Sequence, residues 1–535
     1  MTLSNSVVAQ AQVDGNDPER LEWLRDLGFG LFIHWSVDTQ LGMDISHSLV
    51  GASDDYVQRY FDVLPGRFAP RRFDPTEWAE LARTAGIRYV VFTSKHHNGF
   101  CMFHTATTEY QVANTPFERN ITREMLDAFR DHGIAPGLYF SPDDFHWLWE
   151  NKIPIQRNTP EVAPANNPGL MELAKAQVTE LLTDHGQVDM IFFDGPPEGL
   201  REHAWEVSPG VLVTRGAIPT PEQYVPGLPY EGAWESNLTM GTQWTYKPTN
   251  ESYKSGRQII ETLIETRAKG GNLLLNIGPR HDGAIPIEQE QLLQEIGLWM
   301  FVNSESIYDS RPWVITNEGP LWFTRNKDSG DLYVHVTGAD RWRWGTRRDF
   351  VLASVRATEE TKITVLGQNG AVMEYRPGAD PRPSFEQRDD GLHLSAMNTH
   401  RLYNDKAWPN PVVIKLTHVE PALVPPRIET VDAAWVAADG EVEVGVAATE
   451  LGSVEGLRIG VEYQDITGLD TLERPDDWDQ VGPVPAGEPG ARAGVRLPAA
   501  AGHTYAVRAV ADAGLLTLRG GEIKVTAERP VDNPG

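Results

Sequence analysis

The stretch VDMIFFDG (188–195) decides how the chain is read. Its apolar run MIFF (190–193) reads as a strand buried on both faces, which is the pattern of a parallel sheet covered by helices. The run ends on a carboxylate, Asp194, and then on Gly195, which lets a ligand approach the backbone closely. The same order recurs on both sides. GFGLFIHW (28–35), YVVFTSKHH (89–97), IAPGLYFS (134–141), VLVTRG (211–216) and GNLLLNIG (271–278) are apolar runs that end on polar residues, and the YEGAWE region (230–235) is a candidate for one more strand. Amphipathic stretches separate them. WAELART (78–84) and REMLDAFRDH (123–132) read as helices, the second with Met125, Leu126 and Phe129 on one face. Leu170, Ala174, Val178, Leu181 and Leu182 mark another at 3.6-residue spacing, and residues 256–269 and 287–303 give two more.

Repeated β-then-α units over residues 20–312 predict an α/β fold, and seven or eight units suit a (β/α)8-like barrel. His34, His96, His97, Tyr139, Asp194, Arg215 and Asn276 all stand where an apolar run ends. In a barrel such strand ends converge on one rim, where sites are built. Residues 1–19 read as a flexible N-terminal tail. Beyond residue 312, short alternating strands between Gly, Pro and Asp turns predict a β-sandwich over 313–420. HVEPALVPPR (418–427) reads as a linker, and residues 428–527 as a second small sandwich of immunoglobulin or fibronectin type.

Composition narrows the function. The chain has 535 residues and a net charge of −28, which repels phosphate backbones and anionic lipid and so argues against nucleic-acid and membrane-surface roles. The single cysteine, Cys101, allows neither an internal disulfide nor a Cys-rich zinc site. No run approaches the length of a membrane span, and the first residues lack a basic segment followed by a long apolar one, so a cytoplasmic location is expected. The oligomeric state is not legible.

An apolar strand would fix the Asp194 carboxylate and partly desolvate it, which suits a nucleophile. His96 and His97 stand in KHHNGF, and Asn98-Gly99 supplies the turn that brings both to one site. A metal site would need carboxylate or thiolate ligands at suitable spacing, and no HExxH-type motif occurs. Sugar hydroxyl binding is the reading that uses both histidines, and buried structural histidines are the alternative. Glu222 in TPEQY, and Glu231 and Glu235 in YEGAWES, compete for a general acid/base role, since glycoside hydrolysis requires two opposed carboxylates. Trp35 and Trp234 are the candidates for stacking on a pyranose.

GLFIHW, KHHNGF, GLYFSP, IFFDG, TPEQ, WE and KGGNLLLNIGP occur in the order seen in glycoside hydrolase family 29, the α-L-fucosidases, over roughly residues 20–315. The resemblance implies a retaining exo-glycosidase acting on fucosylated glycans or glycosides without metal or cofactor. Asp194 matches the family nucleophile. Contacts to fucose hydroxyls are implied from His34, His96, His97 and Tyr139, and Arg215 matches an arginine after the fifth strand. TPEQ resembles the segment bearing the acid/base in several members, which favours Glu222, while WE keeps Glu235 in play. Two departures stand out. The family usually has KHHDGF where this chain has Asn98, and its common acid–tryptophan pair after the first strand is absent from LGMDISHSLVGASDDY (41–56), where Asp44, Ser46 or His47 can substitute. A glycosidase for a galacto-configured or other 6-deoxy sugar, and a non-catalytic glycan-binding barrel, are the alternatives.

Overall fold

The computed structural model describes residues 15–528 apart from 158, 228, 339, 403–408, 469–476 and 513–516. The apolar runs form seven parallel strands: β1 (Phe29–Ile33), β2 (Tyr89–Lys95), β3 (Ala135–Phe140), β4 (Met190–Phe193), β5 (Leu212–Val213), β6 (Glu235–Thr239) and β7 (Asn272–Ile277). They pair in the order β5-β4-β3-β2-β1-β7-β6. Every residue of β1, β2, β4, β6 and β7 is buried, as strands covered by helices on one face and by a filled interior on the other must be. The intervening helices begin on side-chain caps that accept their free N–H groups. Asp74 caps Pro75–Thr84, Asn120 caps Ile121–Asp131, Asn167 caps Pro168–Thr183 and Ser255 caps Gly256–Ala268.

Between β5 and β6 an irregular stretch takes the place of an eighth strand. Glu235 N donates to Pro219 O and Asn237 N to Pro221 O, while Gln223 N donates back to Asn237 O at 2.9 Å. Pro219 and Pro221 have no N–H to give, so this stretch cannot complete a regular ladder. It nonetheless fixes residues 219–223, and with them Glu222, against β6.

Most of the expected tail, residues 1–14, lies outside the described residues, but its end differs from expectation. Asn16 exchanges hydrogen bonds with the backbone of Val213 at 2.8 Å each way, and the helix Pro18–Leu27 follows at once, capped by Asp17. C-terminal to the barrel, eight strands from Ser310–Glu318 to Val412–Pro421 form a five-stranded and a three-stranded antiparallel sheet. Their core is continuous with that of the barrel: Trp299, Trp313, Phe323 and Ile414 belong to one apolar cluster, and the Trp299 indole donates to Pro411 O at 2.8 Å. Eight further strands, Arg427–Val436 to Ile523–Thr526, enclose a separate core of Val442, Val444, Ile459, Val461, Leu497 and Val507. The stretch between the two strand groups is only 422–426, because the first half of the expected linker is strand. Among the described residues no helix is long and apolar enough to cross a membrane.

Candidate active site

Asp194 leaves the end of β4 with its N–H donating to Phe140 O at 3.1 Å, which fixes its backbone against β3. Its carboxylate is surrounded by donors. Tyr139 donates to Oδ2 at 2.6 Å and Arg215 Nη1 to Oδ1 at 3.0 Å. His97 Nε2 lies 3.3 Å from Oδ2, outside hydrogen-bond alignment, and Arg157 Nη2 lies 4.0 Å from Oδ1. Burial alone would push this carboxyl up. His97 first, then Arg215 and Arg157, outweigh it and hold Asp194 well below the usual carboxylate range. The group is therefore an anion across the neutral range, as a nucleophile must be.

The histidines present different faces to the same space. Asn276 Nδ2 donates to Trp244 O at 2.7 Å, so its Oδ1 accepts from His34 Nδ1 at 2.6 Å. His34 thereby offers Nε2 as a bare acceptor. Burial holds its pKa down at about 4, which keeps that acceptor unprotonated. For His96 the order is reversed. Ser46 Oγ accepts from Asn98 N at 2.9 Å and is left to donate to His96 Nδ1 at 2.8 Å, which places the imidazole proton on Nε2. Burial, reinforced by His97 and His34, drives the His96 pKa well below its usual value. One imidazole accepts and the other donates, a pairing suited to the hydroxyls of a sugar. The His96 ring stacks on Tyr139 with centroids 5.3 Å apart, and exposed His47 lies 5.6 Å from the His97 ring.

Arg215 joins the two candidate carboxylates. While Nη1 meets Asp194, Nη2 donates to Glu222 Oε2 at 2.9 Å, and Thr220 holds Nε at 3.1 Å. Glu222 stands on the stretch paired with β6, and its side chain is 45% exposed, so water and substrate can reach it.

The family model described as Alpha-L-fucosidase matches residues 4–305. The chain belongs to the α-L-fucosidase family. It is 30% identical over 390 residues to an α-L-fucosidase of Branchiostoma floridae, an alignment that covers 64% of this chain and 84% of that one. It is similar to α-L-fucosidase isoenzyme 1 of Paenibacillus thiaminolyticus, at 25% identity and a TM-score of 0.57, covering 75% of this chain and 99% of the other. A family 29 α-L-fucosidase of Bacteroides thetaiotaomicron, solved as a trapped covalent intermediate with 2-fluoro-fucosyl fluoride, shares the fold with a TM-score of 0.59 at 22% identity, over 78% of this chain and all of that one.

Three of the expected site residues of this α-L-fucosidase family member lie elsewhere. Glu235 is the first residue of β6, fully buried at the N-terminal edge of the barrel, where Tyr89 at the start of β2 donates to its Oε2 at 2.6 Å. That is the opposite end from Asp194. Its neighbour Trp234 is 1% exposed and packs against Tyr230 and the backbone of Gly271. Trp35 does follow β1, but its ring turns inward among Phe68, Phe73 and Trp78 and its indole donates to Arg280 O. Neither tryptophan offers a face to a sugar. Trp244, whose ring lies 4.9 Å from that of His34, is the indole at the site.

The fucosidase-family site also contains groups that sequence reasoning missed. Asp38 Oδ2 accepts from Ser46 N and from Tyr60 Oη, both at 2.7 Å, and from Asn98 Nδ2 at 3.4 Å. A carboxylate from the first loop thus faces Asn98, the position where the family usually carries Asp. Asp143 accepts from Arg157 Nε at 3.0 Å. Asp38 and Asn98 come together from loops 60 residues apart, Asp143 and Arg157 from the two ends of the helix Phe145–Glu150, and Asn98 is the one signal that points to the first pair. His96, His97 and Asp194 place one ligand atom each within 4.8 Å of one another. They fit a metal poorly, because Arg215 and Arg157 already bring positive charge to the same carboxylate.

Proposed function

We propose that this chain removes terminal α-L-fucosyl residues from glycans by retaining double displacement, with Asp194 as nucleophile and Glu222 as acid/base. The observation that carries the reading is the Arg215 guanidinium, which contacts Asp194 and Glu222 at once. It brings both carboxylates to one guanidinium, and a retaining enzyme needs its nucleophile and its acid/base on the same site. Asp194 attacks the anomeric carbon while Glu222 gives its proton to the glycosidic oxygen, and the C–O bond to the leaving group breaks. Glu222, now a carboxylate, takes a proton from water. The hydroxide formed attacks the anomeric carbon and releases Asp194. His34 accepts from one sugar hydroxyl, His96 donates to another, and His97 and Tyr139 line the same face. The covalent intermediate of the Bacteroides enzyme supports the first half of this sequence.

The test is chemical rescue. Glu222→Ala should spare aryl fucosides with acidic phenols, cripple natural-type glycosides, and be rescued by azide to give an α-fucosyl azide of retained configuration, since azide replaces the activated water in attack on the glycosyl-enzyme. Glu235→Gln should show none of this. Rescue of the Glu235 variant, or of neither, overturns the assignment. A galacto-configured or other 6-deoxy sugar is the second reading, favoured by Ser46 and His47 standing where the family commonly has an acid–tryptophan pair. A panel of aryl α-glycosides separates the two.

A further inference from the structure

Ser46 is the central residue of a tight turn closed by His47 N, which donates to Ile45 O at 2.6 Å. Its backbone lies at φ 59° and ψ −31°, a region that residues with a Cβ rarely adopt, and the residue is buried. Such a conformation persists only where the surroundings fix it. A buried carboxylate does so here. Asp38 Oδ2 accepts from Ser46 N and from Tyr60 Oη, both at 2.7 Å. Asn98 closes the other side. Phe100 N donates to Asn98 Oδ1 at 2.9 Å, which turns Nδ2 toward Ser36, Asp38 and Tyr60. The Asn98 backbone N–H then donates to Ser46 Oγ at 2.9 Å.

A serine hydroxyl has one proton to give. Among the described residues Ser46 Oγ meets Asn98 N, which is itself a donor, and His96 Nδ1. The hydroxyl proton therefore goes to His96 Nδ1, and a neutral His96 keeps its own proton on Nε2. The other ring beside His96, Tyr139, stacks face to face with it and does not choose between tautomers. We infer that Ser46 is a positioning residue for sugar recognition: held in its strained turn by Asp38, it makes His96 a donor and never an acceptor, so that the site selects glycosides whose sugar presents a hydroxyl oxygen to that donor. The inference rests on the fucosidase reading of the same site. It gives the buried carboxylate of Asp38 a part in specificity and none in proton transfer.

The test pairs loss of the serine hydroxyl with loss of each sugar hydroxyl in the full-length enzyme. Ser46→Ala removes the hydroxyl and keeps the Cβ. Ser46→Gly removes it and relieves the turn, so a folding fault in one variant leaves the other to be read. Both should lower kcat/KM for an aryl α-L-fucoside by about tenfold or more. For one of its 2-, 3- and 4-deoxy counterparts the same variants should change kcat/KM by less than about twofold, because the hydroxyl that His96 serves is already gone. A purely structural role would lower all four substrates by one factor. That result, or an unchanged rate on the parent fucoside, overturns the inference. Isotopic labelling of the histidine nitrogens, read by NMR, tests the same claim without turnover. The His96 signals, assigned by their loss in His96→Gln, should show the proton on Nε2 in the native chain and no such preference in Ser46→Ala. A proton on Nδ1 in the native chain overturns the inference and leaves the fucosidase reading intact. If the unmodified chain hydrolyses no fucoside, that reading fails and takes this inference with it.

Discussion

The Tyr139 hydroxyl donates to Oδ2 of Asp194 at 2.6 Å, and each group reinforces the state of the other. Burial, and then the nearby anion, raise the phenol well above its ordinary pKa, so it stays a donor at any working pH. The contact is one of several that steady the carboxylate as an anion.

Tyr139→Phe removes that donor and keeps the ring stacked against His96. A hydrogen bond to a charged group contributes about 1.5–3 kcal/mol, so kcat/KM should fall roughly 10- to 100-fold. The sign on the pH axis follows from the lowered pKa of Asp194. In the native enzyme this carboxylate is ionised well below neutrality. In the variant its pKa rises, and the acid limb of the kcat/KM profile should move to higher pH. A unchanged acid limb would show that Tyr139 does not support the anion.

Glu235 gives a prediction about stability. Burial raises its pKa from 4.5 to about 7, against the lowering effect of Tyr89. The folded protein therefore binds a proton there that the unfolded chain has released, and stability is lost as pH rises from about 4.5 through 7. The size is on the order of 3 kcal/mol, at 1.36 kcal/mol per pKa unit. Glu235→Gln cannot ionise. Melting temperatures at pH 5 and pH 8 should show the variant gaining on the native protein as pH rises, with activity on fucosides retained.

Trp35→Phe should act on the fold and leave sugar binding alone. The indole is wholly buried among Phe68, Phe73 and Trp78, and its loss should lower stability by roughly 1–3 kcal/mol through the missing volume and the lost bond to Arg280 O. KM for an aryl fucoside should stay within about twofold of the native value. A large rise in KM with unchanged stability would return Trp35 to the site.

Chain termination after residue 424 should leave a folded, active protein, because the last eight strands enclose a core of their own. Termination near residue 312 should not, because Trp299 and Trp313 share one core across that point. Circular dichroism and turnover of the two shortened chains test both statements.

The parts of the site that could be read in the sequence are those that end an apolar run. Asp194, His34, His96, His97, Tyr139 and Arg215 stand at such ends, and the barrel places them on one rim. β6 escaped this logic, because ESNLT is a polar strand whose burial comes from its neighbours. Its uncertain position put Glu235 and Trp234 at the wrong end of the barrel. Trp35 misled for a different reason, since a strand end fixes where a residue sits and leaves its rotamer to the surrounding packing. Asp38 meets Asn98 from a loop 60 residues away, and Asp143 and Arg157 meet across the short helix Phe145–Glu150, contacts that periodicity does not carry.

The stretch 219–223, stitched to β6 in place of an eighth strand, gives the two carboxylates supports of unequal tolerance. Asp194 is welded to a buried strand in which Met190 and Phe192 face the barrel interior and Ile191 and Phe193 the helices, so a shift of one residue would turn it away from the rim toward the helices. Glu222 rides on a seam held by three backbone bonds and by Gln223, whose backbone lies in the left-handed region with φ 64°. Pro219, Thr220 and Pro221 are buried, and the seam opens to solvent only from Glu222 to Val225. A designer seeking a new leaving-group preference, or transglycosylation in place of hydrolysis, therefore has a short open segment at the proposed proton donor to vary, beside an anchor that should not be moved.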